Sequence, residues 1–167
     1  MNKQVWIEKA LGLGIQEFEI YQSTTVEKEM TWFQGQMDTL VSSKVTGTSI
    51  RGIVDGKMAN MALEEIDDSM CETVLKSLIA QAHIISNEET DSLRKPEPIE
   101  YVKKDVTWNM ASTEYVKNIL QSLEAKILAY DPRVIQVGYL GYSQGSGSRS
   151  IVNSLGMDVQ DADEMQY

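Results

Sequence analysis

Charged or polar residues alternate with Phe18 and Ile20 over Glu17-Phe18-Glu19-Ile20-Tyr21-Gln22, the pattern of a half-buried strand. A second strand follows over Thr24–Phe33, where Val26, Lys28, Met30 and Trp32 share a face. A lysine in that row either lays its alkyl stem over the apolar face or marks a bulge that shifts the register. Gln34-Gly35-Gln36 reads as a turn, and Met37–Lys44 as a third strand. Gly47–Leu63 reads as two more strands joined by Asp55-Gly56, a pair that fits a type I′ turn because both central residues need positive φ. Gly47, Gly52, Ala59 and Ala62 keep this ribbon slim, which predicts a closely packed neighbour or a bend. Five short strands with tight connections predict an antiparallel meander, since parallel pairing needs crossovers of about a dozen residues or more.

Three stretches carry a helical period instead. Residues 2–13 place Val5, Trp6, Ala10 and Leu11 at helical spacing, and Gly12 and Gly14 supply a stop. Residues 69–86 open on Ser69-Met70-Cys71-Glu72, the sequence of a capping box. Met70, Val74, Leu75, Leu78, Ile79, Ala82 and Ile85 then form a continuous apolar stripe. Each large residue of that stripe is worth about 1.5–3 kcal/mol when fully buried, so the stripe is expected to cover one face of the sheet. Ser112 caps a third helix over 113–129, with Val116, Ile119, Leu120, Leu123 and Ile127 on its buried side and Asp131-Pro132 at its end.

The last part returns to strands. Val134–Ser143 and Ser148–Asn153 predict a hairpin around Gly145-Ser146-Gly147, followed by a turn at Asn153–Gly156 and the start of another strand at Met157. The fold class is α+β: an antiparallel meander sheet with helices packed on it, plus a C-terminal hairpin. The organisation expected is an α+β domain over 1–86, a surface connection over 87–110 and, over 111–167, a helix and hairpin that begin a further region. The acidic tail Asp161–Tyr167 has neither cap nor stop, which predicts that the chain is cut from a longer parent.

Charge and chemistry narrow the function. The chain has 167 residues and a formal net charge of −10, and its 15 basic residues are scattered. That disfavours nucleic acid, whose phosphates call for clustered Lys and Arg. The first residues mix Lys, Gln and Glu rather than forming a leader, and no run approaches the roughly 20 apolar residues that span a bilayer. One cysteine, Cys71, excludes an internal disulfide and fits a reducing compartment, so a cytoplasmic location and no membrane partner are expected.

Cys71 and the single histidine, His83, lie twelve residues apart on one predicted helix. That is roughly 18 Å along its axis, too far to share a metal within one molecule. Cys71 near a helix start is either a thiol of lowered pKa or a small packing residue, and His83 reads as an ordinary helix residue. Gly145-Ser-Gly-Ser148 lacks the Lys-Ser/Thr of a phosphate loop. The acidic run Glu64-Glu65-Ile66-Asp67-Asp68 suits a helix N-terminus and lacks the spacing of a calcium loop. Trp6, Trp32 and Trp108 read as core or rim residues. No catalytic, cofactor-binding or metal-binding residue follows from the sequence.

An ordered set of stretches carries a resemblance. Glu17-Phe-Glu-Ile-Tyr21, Gln36-Met-Asp-Thr-Leu40 and Gly47-Thr-Ser-Ile-Arg-Gly-Ile-Val-Asp-Gly-Lys57 come first. The Leu75–Ile85 helix, Asp131-Pro-Arg-Val134 and Asn153-Ser-Leu-Gly156 follow. Together they resemble the N-terminal region of the TldD/PmbA family, long labelled "modulator of DNA gyrase", with details closer to the PmbA/TldE branch. The resemblance implies a cytoplasmic role in proteolysis, in which TldD pairs with PmbA/TldE as a metallopeptidase acting on peptides or unfolded chains. It implies a paralogous TldD/PmbA-type subunit as dimer partner and zinc in the parent complex. The zinc motif of TldD, His-Glu-x-x-x-His, is absent from this chain, so no cofactor is assigned to it.

Two readings result. In the first, the chain is an N-terminal structural and substrate-channel domain, with catalysis supplied outside it. An extended peptide would add to an exposed strand edge. The Ser/Thr-rich stretches Thr39–Ser43 and Thr46–Ser49 suit such an edge, and equally suit a solvated sheet face. In the second, it is a stand-alone interaction module, an adaptor without protease activity.

Overall fold

The computed structural model describes residues 1–86, 90–98 and 110–166. Among them are three α-helices and five strands: α1 (Lys3–Gly12), β1 (Glu17–Phe33), β2 (Gln36–Val54), β3 (Lys57–Leu63), α2 (Cys71–Ala82), α3 (Thr113–Tyr130), β4 (Leu140–Asn153) and β5 (Asp158–Gln166). The strands form one antiparallel sheet in the order β3-β2-β1-β4-β5. The fold is α+β, as the patterning predicts. No described helix is long and apolar enough to cross a membrane.

The strands are longer than the pattern suggests. The segments read as 17–22 and 24–33 are one strand, β1, and those read as 37–44 and 47–54 are one strand, β2. The polar stretches that look like breaks hold no left-handed residue, and the hydroxyls of Thr24 and Thr46 meet across the two strands at 3.0 Å. Pairing therefore continues where apolar content lapses. Gly145-Ser146-Gly147 is likewise not a turn but the middle of β4, and residues 134–139 form no strand. The C-terminal hairpin instead joins β4 to β5 and turns at Gly156, whose φ is +93°. There Asn153 Oδ1 accepts from the amides of Leu155 and Met157, at 3.0 Å each. The Asp55-Gly56 turn forms as expected, with φ of +51° and +73° and Val54 opposite Lys57.

Two compact units interleave along the chain, one from 1–24, 46–103 and 148–161, the other from 25–45, 104–147 and 162–167. In the first unit, Trp6, Ile7 and Ala10 of α1 are buried, while Val5 and Leu11 stay exposed. Asn2 caps α1 by accepting from the Val5 amide, and the Trp6 indole donates to Asp68 Oδ1 at 2.9 Å. The α2 face Val74, Leu75, Leu78 and Ala82 completes this core with Phe18, Ile20 and Ile50.

The expected capping box does not form. Asp67 accepts from the Ser69 amide and hydroxyl, residues 68–70 make a 3₁₀ turn, and Glu72 pairs with Lys76 instead. The helix ends at Ala82 rather than 86. Inside the unit, Glu19 is fully buried and accepts from the Arg51 guanidinium and from Asn153 Nδ2.

In the second unit, the row Lys28, Met30, Trp32 is buried without a bulge. Lys28 Nζ donates to the Ala111 carbonyl at 2.9 Å and the Thr113 hydroxyl at 3.0 Å. Ser112 caps α3 by accepting from Tyr115. The buried side of α3 is Val116, Leu120 and Glu124, whereas Ile119 and Leu123 face out. A glutamate holds a buried place here because the Trp32 indole and the Gly35 amide donate to its carboxylate.

The slimness of the first ribbon has its reason at Gly52. A Cβ there would lie 2.8 Å from Leu78 Cδ2 on α2 and 3.1 Å from Ile15 Cγ2. Gly52→Ala is therefore expected to destabilise the chain by about 1–3 kcal/mol through overpacking, measured as a lowered urea midpoint with unchanged m. Gly47→Ala, whose Cβ would meet only the Ser23 hydroxyl at 3.7 Å, serves as the mild control.

Candidate functional site

β2 outruns its neighbour. β3 pairs with it only from Val54 back to Thr48, so the twelve residues Gln36–Gly47 have no partner on that side among the described residues. Within the second unit this open edge runs from Gln36 to Val45. The direction of each backbone group follows from the Asp55-Gly56 turn. In a two-residue hairpin the flanking pair, Val54 and Lys57, exchanges hydrogen bonds, and the sides then alternate.

Three observations fit that alternation. The Ile53 carbonyl accepts from Gln16 on the β1 side, at 2.8 Å. The Met58 amide points away from β2 and donates to Asp91 Oδ2 at 3.1 Å. The Thr39 amide points to β1 and donates to Thr31 Oγ1 at 3.0 Å. Leu40, Ser42 and Lys44 therefore direct their N–H and C=O groups outward, whereas Gln36 and Asp38, next to the Gln34-Gly35 turn with its two positive φ values, follow that turn and face β1. Three such residues offer a ladder for one extended chain, spaced at about 3.3 Å per residue along the strand.

The side chains leave the ladder accessible. Residues 36–42 are exposed, and so are Lys44 and Val45. Val41 and Val45 are more than half exposed, and they share one face of the strand. Such an edge is a template for pairing. By contrast, part of the outer side of β3 is already occupied: Asp91 holds Gly56 and Met58, and Leu93 is buried while its amide donates to Glu17.

The stretch Thr39–Ser43, singled out by its hydroxyl content, lies on this open edge. Of the other stretch, Thr46 and Gly47 lie beyond the end of β3, whereas Thr48 and Ser49 are paired with it.

The remaining candidates separate. Cys71 is buried at the first turn of α2, and burial pushes its thiol up, so the activated thiol is not realised. His83 follows the last turn of α2, exposed, with Nε2 3.7 Å from Asp55 Oδ2. In the acidic run, hydrogen bonds from Ser69 hold the Asp67 carboxyl below its usual range, and those from the Asn2 amide and Trp6 indole do the same for Asp68. No group of three His, Cys, Asp or Glu is placed to hold a metal ion among the described residues. The described donor set does not fit the zinc that the resemblance implies for the parent. Trp108 lies outside the described residues. Trp6 and Trp32 are buried and each anchors a carboxylate.

The family description "PmbA/TldA metallopeptidase domain 1" matches residues 18–85, and "PmbA/TldA metallopeptidase central domain" matches residues 107–166. TldE from Thermococcus kodakarensis superposes with a TM-score of 0.82 at 18% identity, over 97% of this chain and 37% of that one. A Thermotoga maritima protein described as a candidate modulator of a DNA gyrase gives a TM-score of 0.73 at 18% identity, over 97% of this chain and 36% of that one. A similarly described protein from Bacteroides thetaiotaomicron gives 0.73 at 18% identity, over 96% and 38%. No curated protein sequence matches. The chain thus spans less than two fifths of the length of these structures.

Alternation along β2 has a direct test. Ser42→Pro removes an outward amide and is expected to cost no more than about 1 kcal/mol, whereas Ser43→Pro removes an amide directed at β1 and is expected to cost about 2 kcal/mol or more. Urea unfolding of both variants checks this, and equal costs would contradict the assigned directions.

Proposed function

The chain belongs to the PmbA/TldD family, and from that premise we propose that it is a structural and substrate-channel domain of a protein acting in proteolysis of peptides or unfolded chains. The observation that carries the reading is the stretch of β2 beyond β3, a row of outward backbone donors and acceptors with exposed flanks. Strand addition recognises an extended backbone and makes little demand on its sequence, which suits a proteolytic system with varied substrates. The exposed Val41 and Val45 beside it would add contact area for alternate side chains of the bound segment.

The cleaving centre, and any zinc it holds, is supplied outside this chain. In the same proposal the partner is a paralogous TldD/PmbA-type subunit, the setting is cytoplasmic, and the bound peptide lies along the wall of a shared channel. The acidic balance, −10 overall, supports a peptide rather than a nucleic acid as the ligand.

The test is fluorescence polarisation of a labelled, unstructured peptide of mixed sequence titrated with the 167-residue chain. A saturable rise is expected, and Ser42→Pro is expected to weaken it by about two- to tenfold, the worth of one lost backbone hydrogen bond. A flat titration up to high concentration would overturn the edge as a peptide site.

A further inference from the structure

Glu124 is an unusual residue to find inside the second unit. It is 7% exposed, and both of its oxygens are engaged: Oε2 accepts from Trp32 Nε1 at 2.7 Å, and Oε1 accepts from the Gly35 amide at 3.1 Å. Both donors are neutral, and no ion pair found among the described residues includes Glu124. A buried carboxylate ordinarily has a cationic partner, because neutral donors only partly replace the water it has lost. A carboxylate has about four acceptor positions, so capacity remains after these two bonds.

A cavity of about 370 Å³ opens onto this carboxylate. Gln34 and Gly35 of the β1–β2 turn form one side, and Leu128, Ile135 and Val137 give it apolar walls. Ile135 is 90% exposed and Leu128 38% exposed, so part of this wall faces water. A lining of apolar side chains, the amides Gln34 and Gln136 and one carboxylate matches a long aliphatic stem ending in a cation. A neutral apolar side chain would leave the carboxylate without a cation, and an acidic one would be repelled. The turn that borders the cavity leads directly into Gln36, where the open edge of β2 begins.

We propose that this cavity receives a lysine or arginine side chain of an extended peptide held on the β2 edge. The inference rests on the peptide-edge reading and deepens it: the backbone ladder is indifferent to sequence, and the Glu124 cavity adds a preference for one basic residue.

The first measurement is independent of the edge. The Trp32 indole N–H, bonded to Glu124, is followed by ¹H–¹⁵N NMR while the chain is titrated with N-acetylarginine amide or its neutral isostere N-acetylcitrulline amide. Trp32→Phe assigns the resonance. A saturable shift with the arginine compound alone is expected. No shift, or equal shifts, overturns the proposal. The second measurement compares twin labelled peptides differing only in arginine against citrulline. The arginine twin is expected to bind about tenfold tighter, and Glu124→Gln to bring the ratio close to one. Unshifted methyl resonances of Val116 and Leu120, buried in the same unit as Glu124, confirm that the variant is folded. Equal binding of the twins overturns the cavity preference and leaves the edge standing. A shift with the amide but no binding of either peptide overturns the edge, and with it the peptide as occupant.

Discussion

A difference in strand length governs much of this structure. β2 has 19 residues and β3 only 7, and the tight turn at Asp55-Gly56 fixes which end of β2 is covered. Backbone amides and carbonyls are obligatory hydrogen-bonding groups, so an uncovered half-strand must be paired, shielded or solvated. Here it is solvated, with Lys44 and Asp38 as the charges along it. Shielding is used elsewhere in the same sheet, where Asp91 closes part of the outer side of β3.

The units on which this strand is mounted are each fixed by a buried polar anchor as well as an apolar core. In the first, Glu19 gathers Arg51 and Asn153 and so ties β1 to β2 and β4 at a defined register. In the second, Lys28 fastens β1 to the start of α3, and Glu124 fastens α3 to Trp32 and the β1–β2 turn. Buried charges contribute little net stability, since desolvation offsets most of the attraction, but their bonds are satisfied in few alternative arrangements. They act here mainly on specificity: a slip of one residue in β1 would send Glu19 and Lys28 to the opposite face.

The single histidine and the single cysteine stand at opposite ends of α2, and among the described residues no three metal-binding side chains converge. What the chain offers is shape: a long, regular strand, backbone groups directed outward, and a carboxylate at the floor of a cavity beside the turn. The strand belongs to the sheet, whereas the cavity is bordered by the β1–β2 turn, α3 and the segment that follows α3. Geometry held by strands and buried anchors is better defined than geometry held by loops.

Local signals in the chain were enough for the element types and for the sharpest turn. The Asp-Gly pair specified its turn because few residues tolerate positive φ, and the period-two rows placed Phe18, Ile20, Met30 and Trp32 inside. The helical stripe placed Leu75 and Leu78 correctly, and the hydroxyl-rich stretch Thr39–Ser43 did fall on an open edge. Long-range pairing decided the rest. Whether Thr24 and Thr46 interrupt a strand or continue it depends on each finding the other, and the same holds for the glycines of β4. No local signal marks Glu124 as buried, because its partners, the Trp32 indole and the Gly35 amide, are about ninety positions away in sequence. Side-chain period and turn chemistry are properties of neighbours along the chain; edges, cavities and buried carboxylates belong to residues that meet only after folding.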